Sequence, residues 1–541
     1  MRLIVKIILL TVLGFSIHTI AFTQDIPIES NNPVHNFIYR QVVLGHLPQW
    51  YTSLRPLTVR QVNEALNILS KLEAGLNPTD LKILERFTLE FHLTSSPQRL
   101  RGPWQKAHWK DSFSTSFLKF PWNAEEPHII SYRDSVVGIW ADWSETHHGD
   151  WLDDRGFLRL TDHARFYGEV GERVSFYSDF TMNRFVGDSS FVPQIEGYQN
   201  EDRPYDEDVG WTLWYNSRAS VVYDGKYFDW QISKIPLSWG YSPNHSPILS
   251  LEAPPFPYIS LNFNYRDLRI KLIHGTLFAN PAMRSHQLGG DPEKYLAAHR
   301  FEYDVNNNLT LGFSEMIIYG RRPMELDYLV PVNILWPTQH NLGDHDNYLL
   351  ALDCSWRLRP GLTLYQTLFM DELAWVELFK DWWGNKYVYQ AGLHVVFDSK
   401  INLPDLRVEI AIARPWTYTH DDSVNTYSSA GIGLGLPQGP NSQSILVESS
   451  WWPTARWYIN GSYLWLKKGL VMGSSATDNY DLRDRDKDYA TPFLLGTTTT
   501  SSKIALETHY ALSGMFDLVG WLSYESETSK TYGRIGLIWD W

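Results

Sequence analysis

Two spacings of apolar residues divide the chain. From Val34 to about Leu93 the apolar positions recur at helical spacing: Val34, Ile38 and Val42 mark one segment, and Val62, Ala65, Leu66 and Leu69 mark a second. Thr58 and Gln61 precede that second segment at the spacing of a capping box. A third begins at Asn77, with Pro78 at the first helical position and Asp80 in the first turn, and continues through Leu81, Leu84, Phe87 and Phe91. The pattern predicts a three-helix unit over residues 24–95. A unit of roughly 60 residues buries too little apolar surface to stand alone, so it is expected to dock on the rest of the chain.

Pro97, Gly102 and Pro103 interrupt the helical pattern, which places a linker at 96–109. From 110 to the C-terminus the period is two. Leu309, Leu311 and Phe313 alternate with Thr310, Gly312 and Ser314, and Leu406, Val408, Ile410 and Ile412 alternate with Arg407, Glu409 and Ala411. Ile270/Leu272 and Ile535/Leu537/Trp539 repeat the pattern. A soluble β-protein and a membrane barrel both produce such alternation. The aromatics favour the barrel: Tyr and Trp gather at segment ends, as in Trp211/Trp214/Tyr215, Tyr227/Trp230, Trp382/Trp383/Tyr387/Tyr389 and Trp451/Trp452/Trp457/Tyr458, which suits interfacial girdles. Polar, turn-rich stretches such as 188–210 and 473–491 are too long for tight turns and read as extracellular loops. At roughly 25 residues per strand and connection, 110–541 makes a mainly β fold, a large antiparallel transmembrane barrel of about 18 strands.

Arg2 and Lys6, the apolar stretch Ile7 to Ile20 and the residues Ala21 to Thr23 have the order of a signal peptide, assigned to 1–23. Past residue 25 no apolar run reaches the ~18 residues of a membrane-spanning helix. The net charge of −14 disfavours a nucleic-acid surface. Cys354 is the sole cysteine, which excludes an internal disulfide and a cysteine zinc site. An aromatic content of 15% excludes a disordered chain.

Several blocks resemble the capsule assembly proteins of the Wzi type. They are Arg55-Pro56-Leu57-Thr58-Val59-Arg60-Gln61-Val62, Ala298 to Tyr303, Leu311 to Arg321, Glu325 to Asn333, His345-Asp346-Asn347, Leu352-Asp353, and Leu364 to Gln366 with Met370 to Leu373. The order of helical unit, barrel and terminal aromatic Trp541 matches along nearly the whole mature chain. The resemblance implies an outer-membrane protein that holds or organises capsular or other exported polysaccharide at the cell surface, as a lectin and not an enzyme. Its implied partners are that polysaccharide, outer-membrane lipid, the barrel assembly machinery that reads a C-terminal aromatic, and periplasmic export components touching the helical unit.

Arg300, Glu302, Glu315, Arg321, Asp327, Asp371 and Glu372 form a candidate lumenal charge network, since ions facing away from lipid must be paired or hydrated. Glu315 shares the parity of Leu309, Leu311 and Phe313, and the run Met316-Ile317-Ile318 breaks strict alternation as a bulge or re-entry would. Trp143, Trp151, Trp239, Tyr241, Trp416 and Tyr418 lie near polar loops and are candidate glycan contacts, because sugar faces stack on rings. Most tryptophans are expected to be girdle or packing residues. Adjacent acids such as Glu125/Glu126 and Asp421/Asp422 point to opposite faces of a strand and make poor catalytic pairs. No GxSxG, HExxH or P-loop is present, and no catalytic residue, metal or cofactor is assigned. His147-His148-Asp150 and Asp344-His345-Asp346 are read as solvated turn residues rather than ligands. The competing readings are a porin or glycan-permeable channel and, more remotely, a soluble glycan-cleaving enzyme.

Overall fold

In the computed structural model, described for residues 25–72, 75–91, 130–133, 136–187, 206–208, 211–252, 254–280, 292–372, 377, 380–397, 402–512 and 516–540, antiparallel strands close into a barrel. The expected signal peptide at 1–23, the linker at 96–109 and Trp541 lie outside the described residues, as does most of the loop at 188–210. The ring begins with β1 (Val137–Leu152), β2 (Arg155–Val170), β3 (Val174–Val186), β4 (Trp211–Asp224), β5 (Phe228–Lys234) and β6 (Pro257–Tyr265). It continues with β7 (Leu268–Thr276), β8 (Lys294–Asn306), β9 (Leu309–Gly320), β10 (Asn347–Arg359), β11 (Leu362–Glu372) and β12 (Lys386–Val395). The last six are β13 (Asp405–Ala413), β14 (Ser442–Thr454), β15 (Trp457–Gly469), β16 (Thr498–Ala511), β17 (Phe516–Glu525) and β18 (Lys530–Asp540). β18 pairs with β1 from Tyr532↔Leu152 to Asp540↔Ser144, which closes the 18-strand ring and leaves it no edge. Among the described residues no helix is long and apolar enough to cross a membrane.

One end of the barrel carries tight turns, including Arg266–Asp267, Asn307–Asn308, Pro360–Gly361 and Ala455–Arg456. Gly361 sits there at φ +82°, where a Cβ would meet the Val396 carbonyl at 2.5 Å, so the turn needs glycine. Long connections leave the other end, at 235–256, 277–293, 321–346, 414–441 and 470–497.

Alternation decides where each ring goes. Trp451 and Trp457 stand out at the barrel's exterior while their neighbours Trp452 and Tyr458 are buried inside, so an aromatic cluster in sequence supplies both a girdle and a lumenal contact. Exposed Tyr265, Tyr303, Trp356, Trp457 and Tyr510 ring the tight-turn end, and Phe516 stacks on Trp539 at 5.4 Å.

Helices α1 (Val34–Leu44), α2 (Val59–Ser70) and α3 (Pro78–Phe91) form the N-terminal unit. The capping box forms as read: the Thr58 side chain accepts from Gln61 N–H and the Gln61 side chain from Thr58 N–H. Asn77 accepts from the Thr79 and Asp80 amides at the start of α3. Gly45 at φ +89° ends α1. Val62, Ala65, Leu66 and Leu69 of α2 meet Phe37, Ile38, Ile83 and Phe87 in one core. That core continues into the barrel wall, where Phe87 meets Trp452 edge-on at 5.9 Å.

The apolar run Met316-Ile317-Ile318 is not a bulge. β9 keeps regular register with β10 through Ile318, and the irregularity lies at Asp304/Asn306 of β8. Both faces of β9 are covered here: Met316 and Ile318 pack in the lumenal core, and Ile317 packs beneath the 321–346 connection outside. A strand buried on both sides reads as a continuous apolar run.

Candidate functional site

Among the described residues, three inserts enter the lumen. The N-terminal unit fills the tight-turn end. Two connections from the opposite end fold inward, 235–256 and 414–441. Residues Leu54–Arg55 pair with Ser238–Trp239, so the first and second inserts share a two-stranded ladder. Trp239, Ile248, Leu249, Tyr418, Tyr427 and Leu434 from the two connections pack on the inward residues of β6–β13, including Ile273, Leu296, Met316, Leu349 and Phe369.

Hydrogen bonds tie these inserts to each other and to the wall. The Tyr418 hydroxyl donates to the Pro247 carbonyl at 2.9 Å and accepts from Leu436 N–H, while Tyr427 donates to the Ile248 carbonyl at 2.6 Å. Ser242 donates to the Glu409 carboxylate at 3.0 Å, and Gln390 Nε2 donates to the His245 carbonyl at 2.8 Å. At the tight-turn end Arg357 donates to the Asn307 carbonyl at 2.6 Å and to the Val42 carbonyl at 2.8 Å, the same carbonyl near the end of α1 that accepts from Gly45 N–H. Arg40 joins Asp80 of α3 to Asp405 of β13.

The predicted charge network resolves into separate groups. Arg300 is 1% exposed and sits between two carboxylates: its Nη2 lies 2.7 Å from Glu302 Oε1 and 2.8 Å from Asp353 Oδ2, and Nη1 donates to Ser314 Oγ at 3.1 Å. Arg269 extends the group to Glu302 and Asp304, and Ser53 of the N-terminal unit donates to Glu302 at 3.0 Å. Gly312 lies between Glu302 and Asp353 in the register, and a Cβ there would fall 1.8 Å from Asp353 Oδ1. The glycine therefore clears the space in which the pair forms. Asp371 belongs to another lumenal group, 3.6 Å from Lys386 Nζ and accepting from Tyr418 N–H. Glu372 ends β11, and its side chain lies outside the described residues.

The other three residues are not lumenal, which corrects the expectation of one network. Glu315 has the parity of Leu311 and Phe313 and so faces outward, held by His299 Nδ1 at 3.0 Å and by Leu335 N–H at 3.2 Å. Arg321 pairs bidentately with Asp422 at 2.6 and 3.0 Å, joining two connections at the barrel's rim. Asp327 is exposed, and its carbonyl accepts from Asn333 Nδ2 at 3.0 Å.

The six candidate rings are not gathered on one surface. Trp143 and Trp151 point outward on β1, whose inward row is Trp140, Asp142, Ser144, Thr146, His148 and Asp150. Trp239, Tyr241, Trp416 and Tyr418 are buried in the inward connections. Trp416 and Tyr418 adopt φ +67° and +73°, a left-handed backbone uncommon for bulky residues.

A lumenal chamber of about 710 Å³ lies between the N-terminal unit and the wall of β1–β3 and β16–β18. Sequence reasoning missed its lining. Trp521 and Tyr532 meet with ring centroids 4.9 Å apart, Arg534 donates to Asp150 at 2.8 Å, and Arg159 lies 3.0 Å from His148. The signal available was the polar parity of Tyr532 and Arg534 against Ile535 and Leu537. Rings beside arginines and carboxylates can stack a sugar face and bond its hydroxyl or carboxylate groups. His147 faces outward beside Glu145 whereas His148 faces the chamber, so the two histidines cannot share an ion. Asp346 is engaged by Arg322 and Tyr328, not by a metal set. Glu29, His163 and Asp179 bring ligand atoms within 4.8 Å of one another, but Arg218 stands directly opposite Asp179 and His163 lies 3.7 Å from it, so the group reads as an ion-pair cluster.

The chain is similar in structure to Wzi of Escherichia coli, an outer membrane protein involved in group 1 capsule assembly and a carbohydrate-binding β-barrel. The TM-score is 0.56 at 13% identity, covering 96% of this chain and 99% of that one. It is also similar to OccK1 (OpdK) and OprD of Pseudomonas aeruginosa, with TM-scores of 0.44 and 0.40, 10% identity each, over 74% of this chain and 98% and 95% of theirs. No protein-family model matches the chain, and no curated protein does. The fold is that of an outer-membrane β-barrel, and the resemblance read from the sequence blocks meets a structural one at the level of the fold.

Proposed function

We propose that this protein retains or organises an exported polysaccharide at the surface of the outer membrane, by binding and without turnover. The observation that carries the reading is the plugged lumen: a helical unit and two inward connections occupy much of the space that a channel would leave to solute, packing on the β6–β13 wall and leaving the chamber beside β1–β3 and β16–β18. The whole-length likeness to a carbohydrate-binding barrel, which includes the helical unit, supports the same reading. The tight-turn end with the helical unit faces the periplasm, and the long connections face outward, as in barrels of this class. There the helical unit meets export components. The glycan contacts lie on the outward connections and in the Trp521/Tyr532 chamber.

Purified full-length protein, immobilised in detergent, is expected to bind the capsular or exopolysaccharide of its own strain and to leave its reducing ends unchanged in number. Absence of binding together with a large, steady single-channel conductance would replace this reading with the porin one.

A further inference from the structure

The connection 321–346 lies against the outside of the barrel, not over its mouth. Its helix α4 (Leu335–Asn341) and the turn Leu326–Leu329 cover the outward face of β8–β10, where Tyr328 and Leu335 pack on Ala297, Ile317 and Tyr319. Beneath it are outward-facing polar groups: Glu315 with His299, and the Tyr319 hydroxyl 2.7 Å from His274 Nε2 and accepting from Glu325 N–H at 2.9 Å. Bidentate Arg322–Asp346, with Tyr328 donating to Asp346, ties the two ends of the connection together. Four apolar residues stand out from the connection, Val332 at 90% exposed, Leu326 at 69%, Ile334 at 62% and Trp336 at 54%, while exposed polar groups stand at Asp327 in the turn and at His340, Asn341 and Asp344 toward its far end.

The height of the apolar wall decides what meets these apolar residues. From the interfacial rings of Tyr303 and Trp356, the bare outward row of β9 runs only from Leu309 to Phe313 before Glu315 interrupts it. That stretch rises about 10 Å along the membrane normal at ~3.4 Å per residue and ~40° tilt, against an apolar band about 25 Å tall. Hydrocarbon therefore covers the level of Glu315, about 16 Å up, and ends near that of Tyr319, so an uncovered carboxylate there would be costly. The connection covers these groups and continues the lipid-facing surface of Leu311 and Leu352 with its own apolar residues.

We propose that the 321–346 connection is a membrane-seated flap whose Leu326, Val332, Ile334 and Trp336 face enter the acyl region of the outer leaflet. Lipid is the occupant because this face is continuous with the lipid-facing wall, and it binds the strands' polar groups away from hydrocarbon on its other side. Such a flap fixes the barrel's depth and rotation in the leaflet.

The test uses the full chain with Cys354→Ala, since Cys354 also faces outward. Nitroxide labels are placed through V332C, I334C, L311C or T528C, and each protein is folded into phosphatidylcholine/phosphatidylglycerol vesicles, with heat-modifiable migration as the check on folding. Labels at 332 and 334 are expected to match the label at 311, colliding with oxygen at least several-fold more than with a water-soluble nickel chelate. A profile like that at 528, in the β17–β18 turn, would overturn the proposal. Shielding from both reagents with dipolar broadening would also overturn it, because a second copy would then cover the face.

Discussion

Arg300 Nη2 and Asp353 Oδ2 lie 2.8 Å apart in the lumen, on strands β8 and β10 separated by β9, and the strand between them carries glycine at the crossing. Without a side chain at Gly312 the guanidinium spans β9 to reach its second carboxylate. Removing one partner of a buried pair costs roughly 3–5 kcal/mol, because the remaining charge is stranded. Asp353→Ala is expected to lower the temperature of the heat-modifiable gel transition. Gly312→Ala should do the same by displacing Asp353, whereas Thr363→Ala, on the neighbouring strand, should move it little.

The plug is held by separable contacts. Phe87 packs on Trp452, and truncating a buried Phe costs roughly 3–5 kcal/mol. Phe87→Ala and Arg357→Ala are expected to leave the barrel folded while loosening the helical unit. In planar bilayers each variant should show openings that the parent protein lacks, and their combination should show more.

Acid should loosen the same unit through His35. Burial, then the charge of Arg55, holds this histidine down to about 3, against an ordinary value of 6.5. Between those values the unfolded unit binds the extra proton, so stability rises with pH and is lost as pH falls below 6.5. At pH 5 the loss from this group is about 2 kcal/mol. Opening events should become more frequent between pH 7 and pH 5, and His35→Gln should flatten that dependence.

Much of this fold was legible because it depends on local rules. The Thr58–Gln61 box, Pro78 and the alternation in β9 and β13 each act within a few residues, and together they predict helices, strands and a barrel of the right size. The lumen was not legible, because inward and outward are fixed by parity only when the covering element is known. Glu315 illustrates this: its parity with Leu311 and Phe313 was visible, but the flap that lets a carboxylate face outward is supplied by residues 20 positions away. Trp239 and Tyr418 were visible as aromatic residues in polar connections, and only the fold shows those connections turned inward. The Trp521/Tyr532 chamber joins strands to helices far apart in sequence, which no spacing announces.

The chamber gives a residue-level prediction. Trp521→Ala and Arg534→Lys, which keeps a cation beside Asp150, are expected to weaken binding of the strain's own polysaccharide at least tenfold, about 1.4 kcal/mol, with a smaller shift of the gel transition than that expected for Asp353→Ala. Titration of the immobilised protein with size-fractionated polysaccharide checks this, and unchanged affinity in both variants would remove the chamber from the binding surface.

The most direct measurement of the central claim is made on cells. A deletion strain, alone and complemented with the intact chain, is scored for polysaccharide remaining on washed cells and polysaccharide shed into the medium. Retention by this protein predicts less bound and more shed polysaccharide at an unchanged total, restored by complementation. Unchanged retention, alongside altered uptake of a small sugar or antibiotic, would contradict it.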